Sequence, residues 1–464
     1  MDLPVIETPI FPRWVWMEEI TFSHIPIATL ITAFLVLAPI YEYVGYRTKD
    51  LRYDRLAKSM VFFVMILFSP GAALGTGIAM FIIGLYPEFW ARWSNLFFWP
   101  LMAQFVFFTL EVIFLFFFYY LLWDRWKNRK RLHIFFGVLA ALSGLCVQFV
   151  WDALGAYMTT PSVELPMVNE PVGWSSAAFF NPSMAPLFLH RFFGNISYSM
   201  LLTGGVFALK HWRQKDPNEK AYFGFAADFT FTVGFLAFFA MPFVGWFYAQ
   251  IMQQHAPVAF HAVMGGHTAP HFTIKMGLIS LMLLLGGGYL FTRHKRKAIL
   301  AAMTLGMATL YIFLHMHPPL RWLPGEEAVW RGFYTAALIA VIGFFWYLSR
   351  SSSAVKEIWK WAMFVAGLSA FLAFLFGGFV RERSRQPYSV YEQLVKPEIL
   401  PREADRFLLY DKCIGCHHTS LKDLTRFAVE DWDKRVEIEA RRPGADISEE
   451  EARRISRYLK EHHP

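Results

Sequence analysis

Charge and cysteine are both scarce in this chain. Of its 464 residues only 17% are Asp, Glu, Lys or Arg, while 56% are hydrophobic. Soluble domains carry about 25% charged residues, so a soluble globular protein is excluded. Three cysteines are too few for a disulfide scaffold. Cys146 lies in an apolar stretch and reads as packing, which leaves Cys413 and Cys416 as a pair. The opening MDLPVIETPIFPRWVWMEE lacks the basic start of a cleaved signal peptide, because Asp2 and Glu7 precede its first base, Arg13. The first apolar run is therefore expected to be a retained span. Internal repeats and low-complexity tracts are missing as well. The net charge of +8 is no sign of nucleic-acid binding, since basic excess in a membrane protein collects on the loops of one side.

What the chain has in quantity is apolar length. Forty-nine Phe and seventeen Trp suit lipid-facing and interfacial surfaces. A helix needs about 20 apolar residues to span a bilayer. Ten candidate stretches meet that need, near 22–44, 59–84, 96–122, 133–155, 187–208, 223–249, 271–292, 298–315, 329–349 and 359–380. The expected fold is an all-α, polytopic membrane helix bundle.

The turns between these stretches alternate in charge. Arg47 to Lys58 holds five Lys/Arg, Arg125 to Arg131 five, Lys210 to Lys220 four, Arg293 to Lys297 four and Arg350 to Lys360 three. The intervening turns hold Arg92 and Arg321 alone. The positive-inside rule places the five basic turns in the cytoplasm, with both termini on the periplasmic side of an inner membrane. Composition changes after Arg381. Residues 1–387 read as the membrane domain, and 388–464 as a small charged periplasmic domain that ends in a helix-like stretch.

That second domain carries the strongest motif, Cys413-Ile-Gly-Cys416-His417. This is C-x-x-C-H, the attachment sequence of a c-type haem: two thiols add to the two vinyl groups, and the adjacent imidazole reaches the iron. A single Cys pair makes zinc the weaker reading. With Tyr410 before the motif and Trp432 after it, the region resembles a small class I cytochrome c domain, whose distal ligand is usually Met. No Met follows residue 388. The sixth position falls to His418, His462 or His463, or stays open, and loss of a Met ligand implies a lower potential.

Ionisable groups inside spans are costly and mark function. His24 and His190 open two spans at the outer side, Glu111 lies in mid-span, and Glu382 follows the last span. Each histidine taken alone is more often structural, but their shared depth with the C-x-x-C-H domain favours a chain of cofactors.

These residues carry a resemblance to subunit I of cytochrome bd-type quinol oxidases. In SHIPIATLITAFLVLAPIYEYV, His24 matches the family's histidine ligand of a high-spin haem. NPSMAPLFLH ends on the family's low-spin haem b ligand, here His190. RERSRQPY resembles the E-x-G-R-Q-P signature, with Glu382 on the haem-ligating Glu, Arg385, Gln386 and Pro387 matching, and Ser384 in place of Gly. The resemblance covers residues 14–210 and 329–388. It implies one or two haem b, a haem d or another high-spin haem, a second subunit, and quinol as donor. There are departures. The family's first proton-path Glu falls on Gln104, and its second one place from Glu111. Two extra spans stand where the quinol loop belongs. Met276, in HFTIKMGLISLMLLL, resembles the second ligand of the low-spin haem. The stretch around 329–349 fits the corresponding span equally well without a Met, and His255, His261, His267, His271, His315 and His317 are alternatives.

The implied function is a bd-like terminal oxidase that passes electrons from quinol or a periplasmic cytochrome c to oxygen, with Glu111, Gln104 and Arg385 as its catalytic residues and membrane lipid as its surroundings. The alternative is a conduit that oxidises quinol and sends electrons outward through the c-type haem without reducing oxygen. A transporter explains neither C-x-x-C-H nor the R-Q-P stretch.

Overall fold

In a computed structural model, the structure describes residues 13–163, 174–256, 269–294, 355–384, 431–441 and 447–462, together with Thr8, Ile10, Phe11, Phe260, Asp405, Leu408 and Leu409. The expected spans near 298–315 and 329–349, the C-x-x-C-H motif, Arg385, and His261, His267, His315 and His317 lie outside them. Among the described residues there is no strand. The chain is helical, as its apolar runs require: without water, a backbone must satisfy its own hydrogen bonds.

Among the described residues, seven helices are long and apolar enough to cross a membrane: Val15–Thr48, Leu51–Leu85, Phe98–Tyr120, Lys127–Tyr157, Ser176–Arg213, Pro217–His255 and Trp359–Phe379. Each coincides with one of the stretches read from sequence. The expected span at 271–292 is also a helix, Ala269–His294, with a shorter apolar core at Ile274–Gly287. In chain order the elements are α1 (Arg13–Thr48), α2 (Leu51–Leu85), α3 (Pro87–Leu96), α4 (Phe98–Val112), α5 (Lys130–Tyr157), α6 (Ser176–Phe179), α7 (Met184–Arg213), α8 (Pro217–His255), α9 (Ala269–His294), α10 (Val355–Ser384), α11 (Trp432–Ala440) and α12 (Glu449–His462).

Local chemistry sets the turns. Lys49, at φ 59°, ends α1, and the Asp50 side chain caps α2 by accepting from Arg52 N at 3.0 Å. Asp216 accepts from the backbone N–H of Asn218 and Glu219, and Pro217 opens α8 where no N–H is needed. A π-helical segment, Ile113–Tyr120, continues α4. It adds residues to each turn and re-phases the side chains beyond Glu111.

From α1 to α8, membrane-length helices that follow one another in the chain run antiparallel. α7 lies between α8 and α10, and close approach there rests on glycine. A Cβ on Gly367 of α10 would stand 2.7 Å from the carbonyl oxygen of Leu201, and one on Gly234 of α8 would stand 2.7 Å from the amide nitrogen of Leu201. Small residues let helices approach where lipid gives no hydrophobic driving force. The main core joins Phe34, Leu35 and Tyr41 of α1 to Met200, Leu201 and Phe207 of α7, Phe231 of α8 and Met363 of α10.

Towards the C-terminus, α11 and α12 enclose a separate apolar cluster of Leu409, Trp432, Val436, Ile455, Tyr458 and Leu459. Asp433 binds Ser456 and Lys460 across the pair.

Candidate haem-binding site

The two histidines singled out from sequence sit inside the same end of the bundle, opposite the basic turns. On α1, the His24 Nδ1 is 3.0 Å from the carbonyl oxygen of Gly71 on α2. A carbonyl only accepts, so Nδ1 carries the proton and donates, which leaves the Nε2 lone pair free. Gly75, one turn along α2, backs the ring: a Cβ there would stand 3.0 Å from its Cε1.

On α7, the His190 Nδ1 is buried with no hydrogen-bond partner among the described residues. Its ring lies 6.0 Å from that of Tyr248 on α8, and Gly245 would bring a Cβ within 3.5 Å of it. A buried polar atom without a partner costs about 1–3 kcal/mol, so an imidazole held this way has the form of a ligand awaiting its acceptor. Lys275, Arg381 and Arg191 are within electrostatic reach of His190, and Arg191 is within reach of His24.

Register places Glu382 at the same level. Gly205 of α7 faces Gly367 of α10, and Tyr198 stacks on Phe374 with centroids 4.3 Å apart; both pairs sum to 572, as do 190 and 382. Fifteen residues separate His190 from Gly205 (205 − 190) and Glu382 from Gly367 (382 − 367), which is about 22 Å along each helix. Met276 on α9 is buried and follows Lys275, so α9 also reaches this end.

A polar line that sequence reasoning missed leads to the site. Asp152, fully buried on α5, pairs with Arg191 and accepts from Gln148 Nε2 at 3.0 Å; Gln148 Oε1 accepts from Asn195 Nδ2 at 2.9 Å. Polar residues four apart in an apolar helix, at 148 and 152, were the available signal. One turn further in on the same face of α5 is Gly144, whose Cβ would meet Glu111 Oε1 at 3.2 Å and Leu35 at 3.4 Å. Glu111 is therefore buried in the seam of α1, α4 and α5 and does not face lipid. Leu35 is eleven residues from His24 (35 − 24), so Glu111 lies about 16 Å deeper. Gln104 is half-buried, two turns from Glu111 on α4.

The donors at this end are single imidazoles on separate helices. Among the described residues no group of three or more His, Cys, Asp or Glu is assembled to cage a metal ion. One axial nitrogen per helix, with glycine beside each ring, is a set that fits an iron porphyrin, which brings its own four equatorial donors.

Fold and site thus define an integral membrane protein built as a helical bundle, with ligand-type histidines buried at one end. The chain belongs to the cytochrome bd terminal oxidase subunit I family, whose model matches residues 13–405. The match runs through the 211–328 region that the sequence resemblance left out, and ends before Cys413. Among solved structures, the bd oxidase from Geobacillus thermodenitrificans is similar in fold, with a TM-score of 0.58 and 18% identity over 81% of this chain and 87% of that chain. No curated protein matches the sequence. Membership makes the protein a haem-binding oxidoreductase of respiratory electron transport.

Proposed function

We propose that the protein is a terminal oxidase that takes electrons from quinol or a periplasmic cytochrome c, through one covalent c-type haem and one or two b-type haems, to oxygen. The observation that carries this reading is the Nδ1 of His190, without a partner among the described residues and buried within reach of Arg191, Lys275 and Arg381. His190 and Met276 would hold a low-spin haem b, and His24 and Glu382 a high-spin haem, of d or another type. Bound there, these groups supply one-electron transfer and, at the high-spin site, oxygen reduction.

The protein's own residues have definable parts. Gly71 fixes the His24 tautomer through its carbonyl oxygen. Asp152 holds the Arg191 guanidinium beside His190, so the positive charge next to the ligand is fixed in place. Glu111 offers a mid-span carboxyl that takes up and releases a proton at its carboxylate oxygens. Gln104 has an amide at the outer position of the same helix, and orients hydrogen bonds without exchanging a proton. Arg385 is expected to bind an anionic group of the bound cofactor. Cys413 and Cys416 would form the thioethers of the c-type haem and His417 would be its axial ligand, on the periplasmic side. A second subunit is expected to accompany the chain.

The missing Met after residue 388 favours a low potential for the c-type haem, hence electron entry through it. Oxygen uptake by purified protein is the test, driven in turn by a quinol and by a reduced periplasmic cytochrome. The Cys416→Ser protein is expected to lose at least about 90% of cytochrome-driven uptake and to keep quinol-driven reduction of the b haems, a tenfold effect being 1.4 kcal/mol in the barrier. A protein that takes up no oxygen with either donor but reduces an external cytochrome from quinol, an activity lost in Cys416→Ser, reverses the direction and establishes the outward conduit.

A further inference from the structure

Residues at the basic end form a cleft that the haem chemistry does not use. The last turn of α1, the start of α2 and the segment leading into α5 enclose a volume of about 560 Å³. Its walls include Tyr46, Lys49, Leu51, Arg129, Arg131 and Leu132. We propose that this cleft binds the phosphate of an anionic phospholipid headgroup, with the acyl chains lying against Leu51 and Leu132.

Three observations converge on it. First, the cleft's positive charge is not neutralised from within. Asp54 is the one acid in the lining, and it is taken by Lys130 Nζ at 2.5 Å, which also reaches Glu42 at 2.8 Å. Lys127 pairs with Asp124 at 3.1 Å. Lys49, Arg129 and Arg131 are exposed, with no carboxylate partner among the described residues.

Second, two of these cations are pre-arranged on one ring. Lys49 Nζ lies 4.7 Å from the Tyr46 ring centroid, and Arg131 Nε donates to Tyr46 Oη at 3.2 Å. Lys49 is the one non-glycine residue with positive φ among the described residues. Glycine adopts that conformation without strain, so a lysine there keeps a side chain at a conformational cost, and strain of this kind is a mark of function.

Third, the location fits a lipid. Leu51 is 80% exposed and Leu132 39%, so apolar walls adjoin the cations where the spans begin. Basic pockets between transmembrane helices at the membrane surface are recognised headgroup sites. The proposal stands on the span assignment and the side-chain geometry alone, and is independent of the haem sites.

Native mass spectrometry of the full-length protein released from detergent tests it, with phosphatidylglycerol, phosphatidylcholine and inorganic phosphate as probes. Phosphatidylglycerol is expected to bind tightly, phosphatidylcholine weakly, and free phosphate in millimolar excess is expected not to displace the lipid. Arg129→Gln with Arg131→Gln should weaken phosphatidylglycerol binding about fivefold per charge. Arg213→Gln with Lys215→Gln, which removes equal charge from another basic turn, should not. An equal loss in both pairs, equal binding of both lipids, or displacement by free phosphate would each overturn the proposal. Should the first pair fail to fold, Lys49→Gly asks the same question with one residue. Its left-handed backbone is relieved, so weaker lipid binding with unchanged or raised thermal stability supports the site, and unchanged binding refutes it.

Discussion

His190 and His24 are held by opposite means. His24 donates its Nδ1 proton to a carbonyl and keeps Nε2 available, whereas His190 has a buried nitrogen with nothing to bond among the described residues. The second arrangement is the more exposed to test. His190→Ala removes the imidazole from a lattice of helices that does not depend on it for hydrogen bonds, so the bundle should fold. A low-spin b-type band in the reduced-minus-oxidised spectrum should disappear; an unchanged spectrum refutes the ligand assignment. Gly75→Ala probes His24 without touching it. The added Cβ, 3.0 Å from Cε1, must push the ring or α2 by a few tenths of an ångström. Overpacking of this sort costs about 1–3 kcal/mol, read as a fall in the thermal midpoint together with an altered high-spin haem band. A shifted midpoint with an intact high-spin band would place that haem elsewhere.

At this same scale the sequence was legible only in part. His24, His190 and Glu111 stood out because charge or imidazole in an apolar run is conspicuous. Asp152, Gln148, Arg191 and Asn195 carry the same kind of signal, yet their role depends on two helices, α5 and α7, meeting at one depth. No one-dimensional pattern contains that meeting. The half of the Phe98–Tyr120 span beyond Glu111, from Ile113 to Tyr120, was blurred for a related reason. The π-helical segment after Glu111 shifts phase by a fraction of a turn, and spacing rules that assume 3.6 residues per turn misplace whatever lies beyond it.

Elements were easier to read than their contacts. All seven membrane-length helices among the described residues were visible from hydropathy, because burying polar backbone leaves an apolar chain no alternative to helix. The α7–α8–α10 packing was not, since a glycine in an apolar run looks the same whether it faces lipid or another backbone. Pairing of polar helices follows other rules. α11 and α12 are polar helices joined through a small apolar cluster and through Asp433, which accepts from Ser456 and Lys460. Those bonds hold the Asp433 carboxyl below its usual value of 3.8. A depressed folded-state value contributes stability that is present above the unfolded-state value and lost as pH falls through the folded one. Amide hydrogen exchange in residues 432–440 and 449–462 should therefore be slow near neutral pH after correction for intrinsic rates, and should accelerate as pH drops below about 4. Asp433→Asn should remove that pH dependence; an unchanged profile in the variant would assign it to another group.

For the molecule as a whole, charge segregation is the feature with the widest reach. The Arg47–Lys58, Arg125–Arg131 and Lys210–Lys220 turns sit together at one end of the bundle, and His24 and His190 at the other. Translocation keeps basic loops in the cytoplasm, so the histidines should face the periplasm. Single-cysteine labelling in a background with Cys146, Cys413 and Cys416 all replaced by Ser reads this directly. Lys215→Cys should react with a membrane-impermeant maleimide only in inverted vesicles, and Ser162→Cys only in right-side-out cells. The reverse pattern would place the histidines at the cytoplasmic face and exclude electron entry from a periplasmic cytochrome.

The glycine contact between α7 and α10 also dictates which mutations the protein can survive. Where Gly205 and Gly367 nearly touch, the two helices have no slack with which to absorb a change of length. One residue inserted between Gly367 and Glu382 would swing everything beyond it by about 100° around the helix axis and lift it about 1.5 Å, so position 382 would leave the level of His190. Single-residue replacements elsewhere on either helix leave that alignment intact. Across the stretches 190–205 and 367–382, therefore, residue count is fixed as firmly as the contact side chains are, and the two helices act as one measuring stick.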